Sequence, residues 1–155
     1  MAQLHVDTHL YALTSDGIEK YESGRLQHMD VAEPPDAVDL RPSSDYRLIA
    51  GTGTDASGGL LYLYDAAWDR VVVFDKATGA YLRQWIPGPD APSMAETRGM
   101  VVVPGGKKRP DTLYWLTPEG VFESQLTLAS PVVAAASAAP DDPRPGRGGR
   151  KRTGS

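Results

Sequence analysis

The segment Leu10-Tyr-Ala-Leu-Thr-Ser-Asp-Gly-Ile18 returns as Leu113-Tyr-Trp-Leu-Thr-Pro-Glu-Gly-Val121. Five of the nine positions are identical, and two more are conservative, Asp16 with Glu119 and Ile18 with Val121. Between them lies Leu61-Tyr-Leu-Tyr-Asp65, followed after a slightly longer turn by Val71-Val-Val-Phe74. The three copies begin at Leu10, Leu61 and Leu113, with separations of 51 and 52 residues. A near-constant period of this length constrains the chain more than any other feature. It requires like units, each unable to bury its apolar side alone and each stacking on its neighbours.

The units are made of strands. No stretch of helical length carries apolar residues at i, i+3 and i+4 free of Gly and Pro. Short runs rich in Val, Leu, Tyr, Phe and Trp predict strands at His9–Thr14, Tyr46–Ala50, Leu60–Tyr64, Arg70–Phe74, Tyr81–Ile86, Met100–Val103, Thr112–Leu116 and Val121–Leu128. Turn chemistry separates them, with Gly17, Gly79 and Gly120 suited to positive φ in tight turns. Many short strands without crossover helices argue an all-β, antiparallel fold. The period argues blades of a β-propeller, each a four-stranded sheet. Residues 27 to 42, with Glu33-Pro-Pro-Asp36 and Arg41-Pro42, read as a long loop between units, with a short strand around Val38 to Leu40.

The middle unit carries a family resemblance. It reads Leu61-Tyr-Leu-Tyr-Asp65, a polar turn, Asp69-Arg-Val-Val-Val-Phe-Asp75, then Thr78-Gly-Ala-Tyr81. This resembles the NHL-type propeller repeat, over residues 45 to 86 and in part over the flanking units. The turn Ala66-Ala-Trp-Asp69 departs from that pattern, which usually has Asn there. The resemblance implies a non-catalytic module whose propeller face binds a protein or a small molecule. The rival it suggests is a piece of a lactonase or hydrolase-type six-bladed propeller whose catalytic residues lie outside this chain. That family holds a divalent cation with carboxylates and Asn, and this chain has no Asn at all.

Three units do not close a ring, because closed propellers have about four to eight blades. The expectation is a partial propeller over residues 1–128, part of a longer one, since Leu10 stands so near Met1 that the first unit begins mid-blade. A homodimer completing a six-bladed ring is second, and an open fan is third. Residues 129–155 form a low-complexity tail that is expected to be disordered: it is rich in small residues and then basic, with nothing to pack.

Charge separates along the same boundary. Residues 140–155 hold five basic and two acidic side chains, while residues 1–139 hold eleven basic and eighteen acidic. An acidic body lacks the clustered Lys and Arg that phosphate contacts need, so it is no nucleic-acid binder. With no Cys there is no disulfide framework, thiol nucleophile or zinc–thiolate site. No apolar run reaches the ~20 residues of a membrane span. Without a signal segment the default location is the cytoplasm.

Candidate chemistry is sparse. His5, Asp7 and His9 would share one face of a strand, offering two imidazoles and a carboxylate to a divalent metal. No other cofactor is expected. Gly51-Thr-Gly-Thr-Asp-Ala56 lacks the helix that a dinucleotide fingerprint needs, and Gly105-Gly-Lys-Lys-Arg109 lacks a phosphate loop's spacing. Asp65, Asp69 and Asp75 bracket one hairpin, where such residues commonly fix turns. Trp68, in the variable turn, with Asp69 and Arg70 beside it, is the candidate binding anchor. Tyr62 and Tyr64 share one strand face and Leu61 and Leu63 the other; Tyr11 and Tyr114 repeat the Tyr62 position, as residues of the core between units would.

Overall fold

The computed structural model describes residues 3–32, 45–53, 58–106 and 109–126. Their eleven strands form three antiparallel sheets that succeed one another along the chain. The first holds β1 (Gln3–Val6), β2 (Leu10–Thr14), β3 (Gly17–Glu22) and β4 (Arg25–Gln27). The second holds β5 (Tyr46–Gly51), β6 (Leu60–Asp65), β7 (Arg70–Asp75) and β8 (Tyr81–Trp85). The third holds β9 (Gly99–Val103), β10 (Thr112–Thr117) and β11 (Gly120–Gln125). Each is an up-and-down meander in chain order, and no α-helix occurs among the described residues.

The second sheet lies between the other two. In β6, Leu61 to Asp65 are all buried, and in β7 so are Arg70 to Phe74. An antiparallel strand with one wet face alternates apolar and polar, whereas these runs are apolar on both faces because both are covered. Leu61, Leu63, Val72, Phe74 and Ile49 face the first sheet and form one core with Tyr11, Leu13 and Ile18. Leu48, Tyr62, Tyr64, Val71, Val73 and Trp85 face the third and join Met100, Val102, Leu113 and Trp115 in a second core. The leading strands of successive sheets, β1, β5 and β9, run beside one another.

The turns follow the repeat. Gly17 closes β2–β3 opposite Thr14, and Gly120 closes β10–β11 opposite Thr117, at φ of 126° and 149°. The matching turn of the second sheet is longer, Ala66 to Asp69, and Asp69 takes φ 46°, a left-handed conformation that Asp tolerates. Asp75 closes the next turn, its Oδ1 accepting the N–H groups of Ala77 (3.0 Å) and Thr78 (2.8 Å).

The first sheet corrects the expected mid-blade start: β1 supplies a leading strand paired with β2, and β3 and β4 complete four strands. Gln27 belongs to β4, so the expected loop begins later; its possible strand at Val38 to Leu40 lies outside the described residues, as does the tail 129–155. Among the described residues no helix is long and apolar enough to cross a membrane.

Candidate functional site

The proposed metal trio does not lie on one strand. β1 ends at Val6, and the chain bends through Asp7 to His9 before β2. The Asp7 N–H donates to the His9 carbonyl at 2.9 Å, and the His9 N–H donates to Asp7 Oδ1 at 2.7 Å. The bend nevertheless gathers the trio around Asp7. His5 Nε2 stands 3.6 Å from Asp7 Oδ2, and His9 Nδ1 stands 4.0 Å from Oδ1.

A cation from the second sheet already holds that carboxylate. Lys76, fully buried, places its Nζ 2.6 Å from Asp7 Oδ2 and also donates to the carbonyls of Thr52 (3.1 Å) and Gly53 (3.3 Å). Burial pushes the Asp7 carboxyl up, but hydrogen bonds from Lys76 and the His9 amide, with the Lys76 charge, hold it below the usual carboxylate range. Burial is the main cause that lowers His5, and the Lys76 charge adds to it against the attraction of Asp7. Tyr11, sealed in the core beside both imidazoles, is pushed up to about 12 by burial and by the Asp7 and Glu22 charges. His9 Nε2 faces Glu22 Oε1 at 3.4 Å. Among the described residues Tyr11 Oη has no hydrogen-bond partner, and no group of three His, Cys, Asp or Glu side chains is placed to hold a metal ion. Gly51 completes the site: a Cβ there would lie 2.3 Å from His5 Nε2, so only glycine lets the ring settle on β5. The cluster pins the first sheet to the second.

The Trp68, Asp69 and Arg70 trio is also drawn inward. Arg70 is buried, donates from Nε to Asp65 Oδ2 at 3.0 Å and from Nη1 to Gln84 Oε1 at 2.6 Å, and lies 5.5 Å from the centre of the Trp68 ring. Asp69 Oδ1 accepts the Tyr64 hydroxyl at 3.0 Å. Trp68 is half-buried over this pair rather than free-standing. Burial and the Asp69 hydrogen bond raise Tyr64 above the ordinary phenol value.

Lys76 and Asp111 were not singled out by their sequence. Lys76 sits in a turn, where a lysine is usually solvated, yet the alternation Val72, Phe74, Lys76 carries it on toward the first sheet. Asp111 precedes β10 and accepts the Tyr62 hydroxyl across the second and third sheets, while also taking the Gly105 N–H at 2.9 Å. Burial and Asp111 together raise Tyr62.

Among the described residues the two outer sheets keep exposed apolar faces. On the third, Val101, Val103, Leu116 and Val121 are 60, 48, 46 and 68% exposed, flanking a half-buried Tyr114. On the first, Leu4, Val6 and Leu26 are 57, 65 and 59% exposed. Pairing of Leu4 with Ala12, Val6 with Leu10, and Tyr21 with both Leu10 and Leu26 puts these on one face.

The chain is thus an all-β protein of three stacked antiparallel meanders. Scans against protein-family models, curated proteins and solved structures return no match.

Proposed function

We propose that this chain is a non-catalytic, NHL-like β-propeller module, a part of a larger propeller, that serves as a binding or scaffold surface. The observation that carries the reading is the equivalence of the three sheets. Tyr11, Tyr62 and Tyr114 occupy the same repeat position, and the first two are buried against the following sheet. Leu61 and Leu113, also equivalent, are buried against the preceding one. The adjacent leading strands β1, β5 and β9 are what blades around an axis would give. Loops on such a rigid support present a face to a protein or small-molecule ligand.

The polar groups support a structural rather than a chemical role: Asp7 is neutralised by Lys76, and Arg70 by Asp65. The cation set of lactonase-type propellers does not fit this chain, which lacks Asn. A panel of small lactones and aryl esters, assayed with and without divalent ions, should show no turnover; turnover lost in Asp7→Asn would overturn the non-catalytic reading. The alternative of a divalent ion at His5, Asp7 and His9 rests on the two imidazole Nε2 atoms standing beside carboxylates, His5 3.6 Å from Asp7 Oδ2 and His9 3.4 Å from Glu22 Oε1. Titration with zinc decides it: saturable binding lost in His9→Ala supports the ion, and binding unaffected by that change refutes it.

A further inference from the structure

We infer that the two open apolar faces are covered by a second copy of this chain, the third sheet of each protomer packing on the first sheet of the other. The inference rests on the blade reading above and names its partner.

The internal interfaces show what each face is built to meet. In the first two sheets the Tyr-bearing face, with Tyr11 and Leu13 or with Tyr62 and Tyr64, is buried against the next sheet. In the second and third sheets the opposite face, with Leu61 and Leu63 or with Leu113 and Trp115, is buried against the sheet before. Among the described residues no sheet follows on the Tyr-bearing face of the third sheet, Tyr114 and Leu116. Among them none precedes the opposite face of the first sheet, Leu10 with Leu4 and Val6 on β1. The two open faces are therefore the two halves of the same interface, already formed twice within the chain. A partner offering one in the right chemistry offers both, and a second copy does so.

Closure requires a two-fold axis: setting sheet three of one protomer on sheet one of the other then makes the reciprocal contact as well and leaves no face to propagate a fibre, whereas a rotation that does not close would build one. Two chains of three sheets give six, within the range of about four to eight blades in closed rings. The carboxylates on the two faces do not oppose burial unaided: Glu19 accepts the Tyr21 hydroxyl at 2.8 Å, and Glu123 accepts that of Tyr114.

The test is the mass of the full chain by light scattering after gel filtration over a wide concentration range. The expected mass is twice 16.7 kDa. Leu116→Lys on the third sheet and Val6→Lys on the first should each return the monomer with an unchanged circular dichroism spectrum, since both side chains are exposed in the single chain. Val121→Lys, more exposed still, repeats the third-sheet test should Leu116→Lys fold poorly. A wild-type monomer at every concentration overturns the second copy. A dimer that survives a charge on either face overturns the sheet-three-to-sheet-one arrangement, and a ladder of larger species overturns closure. The stack on which the blade reading rests fails separately: if Leu113→Ala, which empties a fully buried position between sheets two and three, leaves stability unchanged, the stack itself is wrong.

Discussion

Replacing Lys76 by Met removes the cation that pairs with Asp7 at the junction of the first two sheets, while keeping the length and apolar stem of the side chain. Lys76 is fully buried, and the Asp7 side chain is 7% exposed. Breaking a buried pair by removing one partner costs about 3–5 kcal/mol, because the remaining charge is left uncompensated. Asp7 lies in a bend and keeps the His9 amide as a donor, so the loss should sit near the lower end, about 3 kcal/mol. For a chain of this size that lowers the melting temperature by roughly 10 °C. Urea unfolding followed by tryptophan fluorescence, with Trp85 and Trp115 both in the core, measures it. The double variant with Asp7→Asn should be less damaged than the two single losses summed, since the second change removes the stranded charge. A loss below about 1 kcal/mol, or strictly additive losses, would refute the pin.

Three further outcomes follow from the same contacts. Gly51→Ala drives a Cβ into the His5 ring and should destabilise the fold, and His5→Ala in the same chain should recover most of the loss, as thermal melts would reveal. Arg70→Met strands the fully buried Asp65 and should cost about 3 kcal/mol in urea unfolding, with a change in Trp68 emission; an effect below about 1 kcal/mol contradicts the buried pair. Stability should also fall on acidification. The folded chain holds His5 below its ordinary value of 6.5, so the unfolded chain takes up this proton first; the His5 contribution is complete above about 6.5 and shrinks as pH drops toward the folded value. Asp7, held below 3.8, adds a second loss at lower pH. His5→Gln should flatten the first part of the pH curve and leave the second.

The repeat made the stacking legible. Continuous apolar runs at Leu61–Tyr64 and Val71–Phe74 mark strands covered on both faces, and the paired Gly17 and Gly120 mark equivalent turns. What escaped was written in polar residues. β1 reads Gln-Leu-His-Val, with its apolar residues pointing to the open side, so it gave no core signal. β3 buries only Ile18 and otherwise carries Glu19, Lys20 and Glu22, and every residue of β4 is exposed; pairing along the meander, more than burial, forms both. Trp68 was legible only as a turn residue; its half-buried place, 5.5 Å from the Arg70 guanidinium that pairs with Asp65, comes from contacts the turn's sequence does not signal. His5, Asp7 and His9 did converge, through a bend rather than a strand face, and their cation came from Lys76, 69 positions beyond Asp7. Contacts that distant leave no local pattern.

The stacking of Tyr-bearing on Leu-bearing faces is most directly tested by nuclear Overhauser contacts in the labelled chain. The Tyr11 ring and Leu13 methyls should show cross-peaks to the methyls of Leu61, Leu63 and Val72. The Tyr62 and Tyr64 rings should show them to the side chains of Leu113, Val102 and Trp115. Cross-peaks confined within each sheet, with none between sheets, would contradict the stack.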